Sequence, residues 1–85
     1  MNDEITNIME ALDEIIEAME TNAKETLDLK KRISELKGRD LRRQGEHLLN
    51  ALDAALKINE TLSEQFIKTM VAMKKLLTHL WMPQL

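Results

Sequence analysis

Glycine and proline occur at only three positions of this chain, Gly38, Gly45 and Pro83. These residues do most of the work of ending helices and turning chains, so a sequence this poor in them has few places to change direction. One lies in the stretch Lys37-Gly38-Arg39-Asp40, near the middle of the 85 residues. Gly38 suits the position just past a helix end, where a left-handed residue closes the last turn, and Asp40 can then cap the next helix. Gly45 follows closely enough that the elbow can extend to it. Pro83 is expected to stop the second helix. The spacing predicts a first helix over about residues 3–37 and a second over about 40–82, in one domain covering 1–85.

Apolar periodicity supports two helices. Projected at about 100° per residue, Ile5, Ile8, Met9, Leu12, Ile15, Ile16 and Met19 fall in one stripe. Ala23, Leu27, Ile33 and Leu36 continue it with a slow drift, the behaviour of a left-handed supercoil. In the second half Leu41, Leu48, Leu52, Ala55, Leu62, Phe66, Met70, Met73, Leu77 and Leu80 share a face. Arg43, Glu46, Asp53, Lys57, Glu60, Glu64, Lys68, Lys75 and His79 lie on the opposite one. Asn22-Ala-Lys-Glu25 and Thr61-Leu-Ser-Glu64 resemble capping boxes, which leaves four short helices as an alternative. The phase of the apolar face does not change around residues 58–62, which favours continuity.

Two long helices joined by a short elbow make an antiparallel hairpin, an all-α fold. Composition agrees, since the apolar residues are Leu, Ile, Met and Ala, with one Val and two aromatics, Phe66 and Trp81. A chain of this size has no disulfide to staple it, because it has no Cys, and a bare hairpin leaves its core open on one side. Two hairpins back to back close the core as a four-helix bundle, so a homodimer or a hairpin completed by another protein is expected. The sequence lacks a run of roughly 18 uncharged apolar residues and opens on the polar Met-Asn-Asp-Glu, so a cytoplasmic protein is expected.

The net charge of −3 hides a strong asymmetry. Residues 1–29 carry −8, residues 30–43 carry +5, and residues 44–85 are balanced. In the hairpin the acidic first half would lie beside Lys68, Lys74 and Lys75. Asp28–Arg32, Asp53–Lys57 and Glu64–Lys68 are spaced as i,i+4 ion pairs, each contributing a few tenths of a kcal/mol.

Candidate sites follow from these charges. Glu10, Asp13, Glu14, Glu17 and Glu20 form an acidic contact face. Repeats of carboxylates such as Glu14, Glu17 and Glu20 can hold magnesium or manganese in all-helical hydrolases, but only with further carboxylates from a facing helix. Asp53, Glu60 and Glu64 project outward instead. His47 and His79 are isolated, with Glu46 turned away from His47. Ser34 and Ser63 have no neighbouring His and acid, and there is no glycine-rich phosphate loop. No catalytic residue, metal ligand or cofactor is assigned. Lys30, Lys31, Arg32, Lys37, Arg39, Arg42 and Arg43 form a basic elbow able to contact anions such as nucleic-acid phosphates, though without an aromatic for stacking.

The expected function is therefore non-enzymatic protein–protein interaction: a small adaptor, chaperone or inhibitor, of the phage-encoded kind in size and charge, that dimerises and docks a helical surface on a target. The alternatives are a nucleic-acid-associated dimer using the elbow and a metal-dependent helical hydrolase. The proposed interface is Phe66, Met70, Met73, Leu76, Leu77, Leu80, Trp81 and Met82. If residue i of the first helix faces residue 78 − i of the second, Leu76, Leu77, Leu80, Trp81, Met82 and Leu85 overhang the first helix and need a cover.

Overall fold

The computed structural model describes residues 2–81. Two helices, α1 (Asn2–Glu35) and α2 (Arg39–Trp81), form an antiparallel hairpin. Pro83, Met82 and Leu85 lie outside the described residues. The molecule is a rod with Cα extents of 67 × 18 × 14 Å. That is the length of α2 alone, since its 43 residues at about 1.5 Å each span roughly 65 Å. Acids in the first turns (Asp3 and Glu4, then Asp40) and bases in the last turns (Arg32, then His79) complement both helix dipoles.

The elbow consists of residues 36–38, with α1 ending two residues before its expected end and α2 starting one residue before its expected start. The Leu36 N–H donates to the Ile33 carbonyl at 3.2 Å, closing α1 with a short i→i−3 turn. Gly38 adopts φ +56°, in the left-handed region where a side chain is disfavoured. Its carbonyl then accepts from the Arg42 N–H at 3.3 Å, the first bond of α2. Gly38 thus stands at the start of α2, and Asp40, expected as the cap, lies inside the first turn. Its own N–H donates to the Lys37 carbonyl at 3.3 Å. Gly45 belongs to α2 and does not extend the elbow.

Neither proposed capping box breaks a helix. Asn22 sits mid-α1 and sends its side chain across to α2, while the Thr61 hydroxyl donates back to the Lys57 carbonyl at 3.0 Å. The four-short-helix alternative is therefore absent.

The seam follows a strict alternation of three- and four-residue steps. On α1 it runs Ile5, Ile8, Leu12, Ile15, Met19, Asn22, Thr26, Leu29 and Ile33, and Leu36 continues it into the elbow. On α2 it runs Gly45, Leu48, Leu52, Ala55, Asn59, Leu62, Phe66, Thr69, Met73, Leu76, Leu80. All of these are buried or half-buried except Thr26, Leu52 and Asn59. A 3.5-residue period is the signature of a two-stranded coiled coil. It corrects the 100° projection at several points. Ala23 and Leu27 are exposed, and Asn22 and Leu29 take their places; Leu41, Met70 and Leu77 are exposed, with Thr69 and Leu76 inward. Thr26 and Thr69 satisfy their hydroxyls on their own helix, donating to the carbonyls of Asn22 and Gln65 at 2.9 and 2.8 Å.

Register is fixed by Asn22. Its Nδ2 donates to the Ala55 carbonyl and its Oδ1 accepts from Asn59 Nδ2, both at 3.1 Å. Residue i of α1 therefore faces roughly residue 79 − i of α2, within one residue of the expected register. Among the described residues only Leu48, Ala55 and Asn22 are buried. The overhang is smaller than expected, because Leu76 and Leu80 are half-buried on the seam side.

Candidate interaction surface

One long side of the hairpin is apolar and uncovered. On α1, Met9, Ile16 and Ala23 each follow an inward residue, and on α2 Leu49, Leu56, Met70 and Leu77 do the same. In an antiparallel pair these two lines fall on the same side of the seam. Further round that side stand Leu27, Ile67 and Trp81. The side chains are well exposed: Leu49 66%, Leu27 64%, Ile67 61% and Trp81 86%. Scattered surface apolar residues are ordinary, but a continuous stripe marks an interaction surface.

Thr26, Leu52, Ala55, Leu56 and Asn59 line a depression of the seam on this side, and Thr26, Leu52 and Asn59 are the three exposed seam positions. The opposite side differs in chemistry. Its depression is lined by Glu25, Asp28, Leu29 and Arg32 from α1 and by Ala51, Ala54, Ala55 and Ile58 from α2. There the small alanines bring the backbones close to the surface, and charged groups from α1 form the rim. Lys24, Leu27, Asp28, Lys30, Lys31 and Ser34 outline another depression, but all come from α1, so it has no opposing wall and is a dip between long side chains.

The residues proposed for an interface divide accordingly. Phe66, Met73, Leu76 and Leu80 are half-buried in the hairpin's own seam, whereas Met70, Leu77 and Trp81 face outward. Met82 lies outside the described residues. The stripe's α1 half, Met9, Ile16 and Ala23, is placed by the sequence reading in the hairpin's own apolar face and not in an interface, and Leu49, Leu56 and Ile67 are not singled out by it. The signal that finds them is the residue after each seam position, visible only once the 3.5-residue period replaces 3.6.

Charged groups are exposed. Glu10, Asp13, Glu14, Glu17 and Glu20 all point away from the seam, and the Thr21 hydroxyl donates to the Glu17 carbonyl at 3.1 Å. Among the described residues no three His, Asp or Glu side chains converge as metal ligands would. His47, His79, Asp53, Glu60 and Glu64 are likewise exposed, and Ser34 donates to its own helix at Lys31 O, 2.7 Å. All seven bases of the elbow, Lys30, Lys31, Arg32, Lys37, Arg39, Arg42 and Arg43, are exposed. One ion pair is present among the described residues, Asp53–Lys57 at 3.4 Å. The Asp28–Arg32 and Glu64–Lys68 pairs do not form, and no bridge links acidic α1 to Lys68, Lys74 or Lys75. Exposed long side chains gain little from being held in one geometry.

Among the described residues, no helix is long and apolar enough to cross a membrane. No family model matches the chain, and neither a curated protein nor a solved structure is similar to it.

Proposed function

We propose that this protein is a non-enzymatic interaction module, a small adaptor, chaperone or inhibitor that dimerises and docks a helical surface on a target protein. Its proposed setting is the cytoplasm. The observation that carries the reading is the mismatch between core and surface. Among the described residues three are buried, while a stripe of large apolar side chains runs along one side of the rod. A core this thin gives little stability alone, and covering the stripe would supply what the hairpin lacks. The acidic side chains Glu10, Glu14 and Glu17, which are exposed and lie off the stripe, then remain as contacts for a target.

Size-exclusion chromatography with light scattering tests the first half of this reading. A folded species of twice the chain mass at micromolar concentration is expected; a stable folded monomer would overturn it. The second half is tested by binding to the captured target. Substitution of Glu10, Glu14 and Glu17 by Gln should weaken binding and leave the dimer intact.

A second reading has one observation in its favour, the seven exposed bases gathered at the elbow. Nucleic-acid binding through them would weaken steeply with salt, because each neutralised phosphate releases counterions. Binding that is absent, or insensitive to salt, would dismiss it.

A further inference from the structure

We infer that the occupant of the apolar side is a second copy of this chain, packed elbow to open end. This deepens the proposed dimer and rests on it. Three observations point to the arrangement.

The first is continuity. Met9, Ile16, Leu49, Leu56, Met70 and Leu77 form one side of the rod, and a depression of the seam between Thr26 and Asn59 opens on that same side with the apolar Leu52 and Leu56 on its wall. A neighbouring helix laid along the stripe would cover the depression. The opposite side, with Glu25 and Arg32 on its rim, offers no such strip.

The second is area. The apolar strip runs from the level of Leu49 to that of Trp81, about 48 Å at roughly 1.5 Å per residue, and with a width of about 10 Å it presents roughly 500 Å² on each copy. The total of about 1,000 Å² reaches the lower end of specific interfaces, and the charged elbow adds to it where it meets the partner.

The third is charge, and it sets the direction. Residues 3–20 of α1 carry seven acids and no base, and the facing stretch of α2, 59–76, adds only +1. The open half of the rod is thus −6, while the elbow segment 30–43 is +5. Side by side in the same direction, two copies would set elbow against elbow and acid against acid. Reversed, each basic elbow lies against the partner's acidic half. Charge complementarity of this kind selects orientation more than it adds affinity.

The chain has no Cys, so a single Cys can be spin-labelled without background. The label goes at Gln44, which is exposed near the elbow and off the apolar stripe. Electron–electron distance measurement on Gln44→Cys at dimeric concentration should give about 50 Å. That is twice the rise from Gln44 to the rod's midpoint near residue 60, at about 1.5 Å per residue. A distance under about 30 Å would mean a parallel pair of adjacent helices and overturn the orientation while leaving the dimer reading intact. A monomeric chain would overturn both. To test the face, Leu56→Glu should convert the dimer to monomer, whereas Ile58→Glu on the opposite side should not. If Leu56→Glu unfolds the chain, exposed Leu49→Glu and Ile67→Lys replace it, read by light scattering beside circular dichroism. Dimers that survive all three with full helicity would overturn the face.

Discussion

The Oδ1 of Asn22 accepts a hydrogen bond from Nδ2 of Asn59 at 3.1 Å, across a seam that is otherwise largely apolar. Asn22 is 3% exposed and also donates to the Ala55 carbonyl. A slip of one heptad would leave its amide facing apolar side chains, and a buried polar group without a partner costs about 1–3 kcal/mol. Polar residues at such positions are known to fix register at some cost in stability.

Asn22→Leu is accordingly expected to raise the melting temperature and reduce structural uniqueness. The readout is the amide NMR spectrum, where more than one set of peaks for residues 50–62 would mark mixed registers. In a double-mutant cycle, Asn22→Ala and Asn59→Ala should show a coupling of about 0.5–1.5 kcal/mol by urea unfolding. Additive losses would mean the two amides do not act together.

The two glycines should respond with opposite sign. Gly38→Ala places a side chain at φ +56° and should destabilise by about 1–2 kcal/mol, although nothing stands within 4 Å of the new Cβ. Gly45→Ala lies within α2, also with nothing within 4 Å, and should stabilise by about 0.5–1 kcal/mol. Thermal melts of the two variants side by side check both signs.

Leu48→Ala should cost about 2–5 kcal/mol, the range for truncating a buried leucine, because Leu48 is 3% exposed. In so thin a core that loss is expected to abolish cooperative unfolding, as seen by circular dichroism. Replacing Arg39, Arg42 and Arg43 with Gln should shift stability by less than about 0.5 kcal/mol per residue, since all three are exposed. A large fall in melting temperature would show them to be paired in the assembled protein.

If the folded state is the dimer, melting must depend on concentration. A tenfold dilution removes about 1.4 kcal/mol of apparent stability from an obligate dimer, and the midpoint should fall by several degrees. A midpoint independent of concentration would point to a monomeric fold.

Much of the fold is legible in the sequence. Sparse glycine and proline imply two helices and one elbow, and the register of 78 − i differs by one from the position Asn22 fixes. What escaped is angular. Projection at 3.6 residues per turn carries the seam onto Ala23, Leu27, Met70 and Leu77, while the helices follow a 3.5-residue period through Asn22, Leu29, Thr69 and Leu76. The error grows by about 20° per heptad, enough to move a residue from seam to flank over two or three heptads. Polar character misleads in the same places. Asn22 reads locally as a helix cap, and only its distant partners at Ala55 and Asn59 show otherwise. Of the three charge pairs, Asp53–Lys57 forms, whereas Asp28–Arg32 and Glu64–Lys68 do not: sequence spacing brings exposed ends within reach, but solvent competes for them.

The three buried residues, Asn22, Leu48 and Ala55, all lie in the elbow-side half of the rod, where the helices are joined by three residues. Contacts nearest a short connection close with the least loss of chain freedom, so structure should form there first and zip outward toward Ile5 and Met73. The acidic open end would be the last part ordered and the first to fray. Amide exchange should then record a gradient along the rod, slowest between residues 48 and 55 and fastest in the first turns of α1.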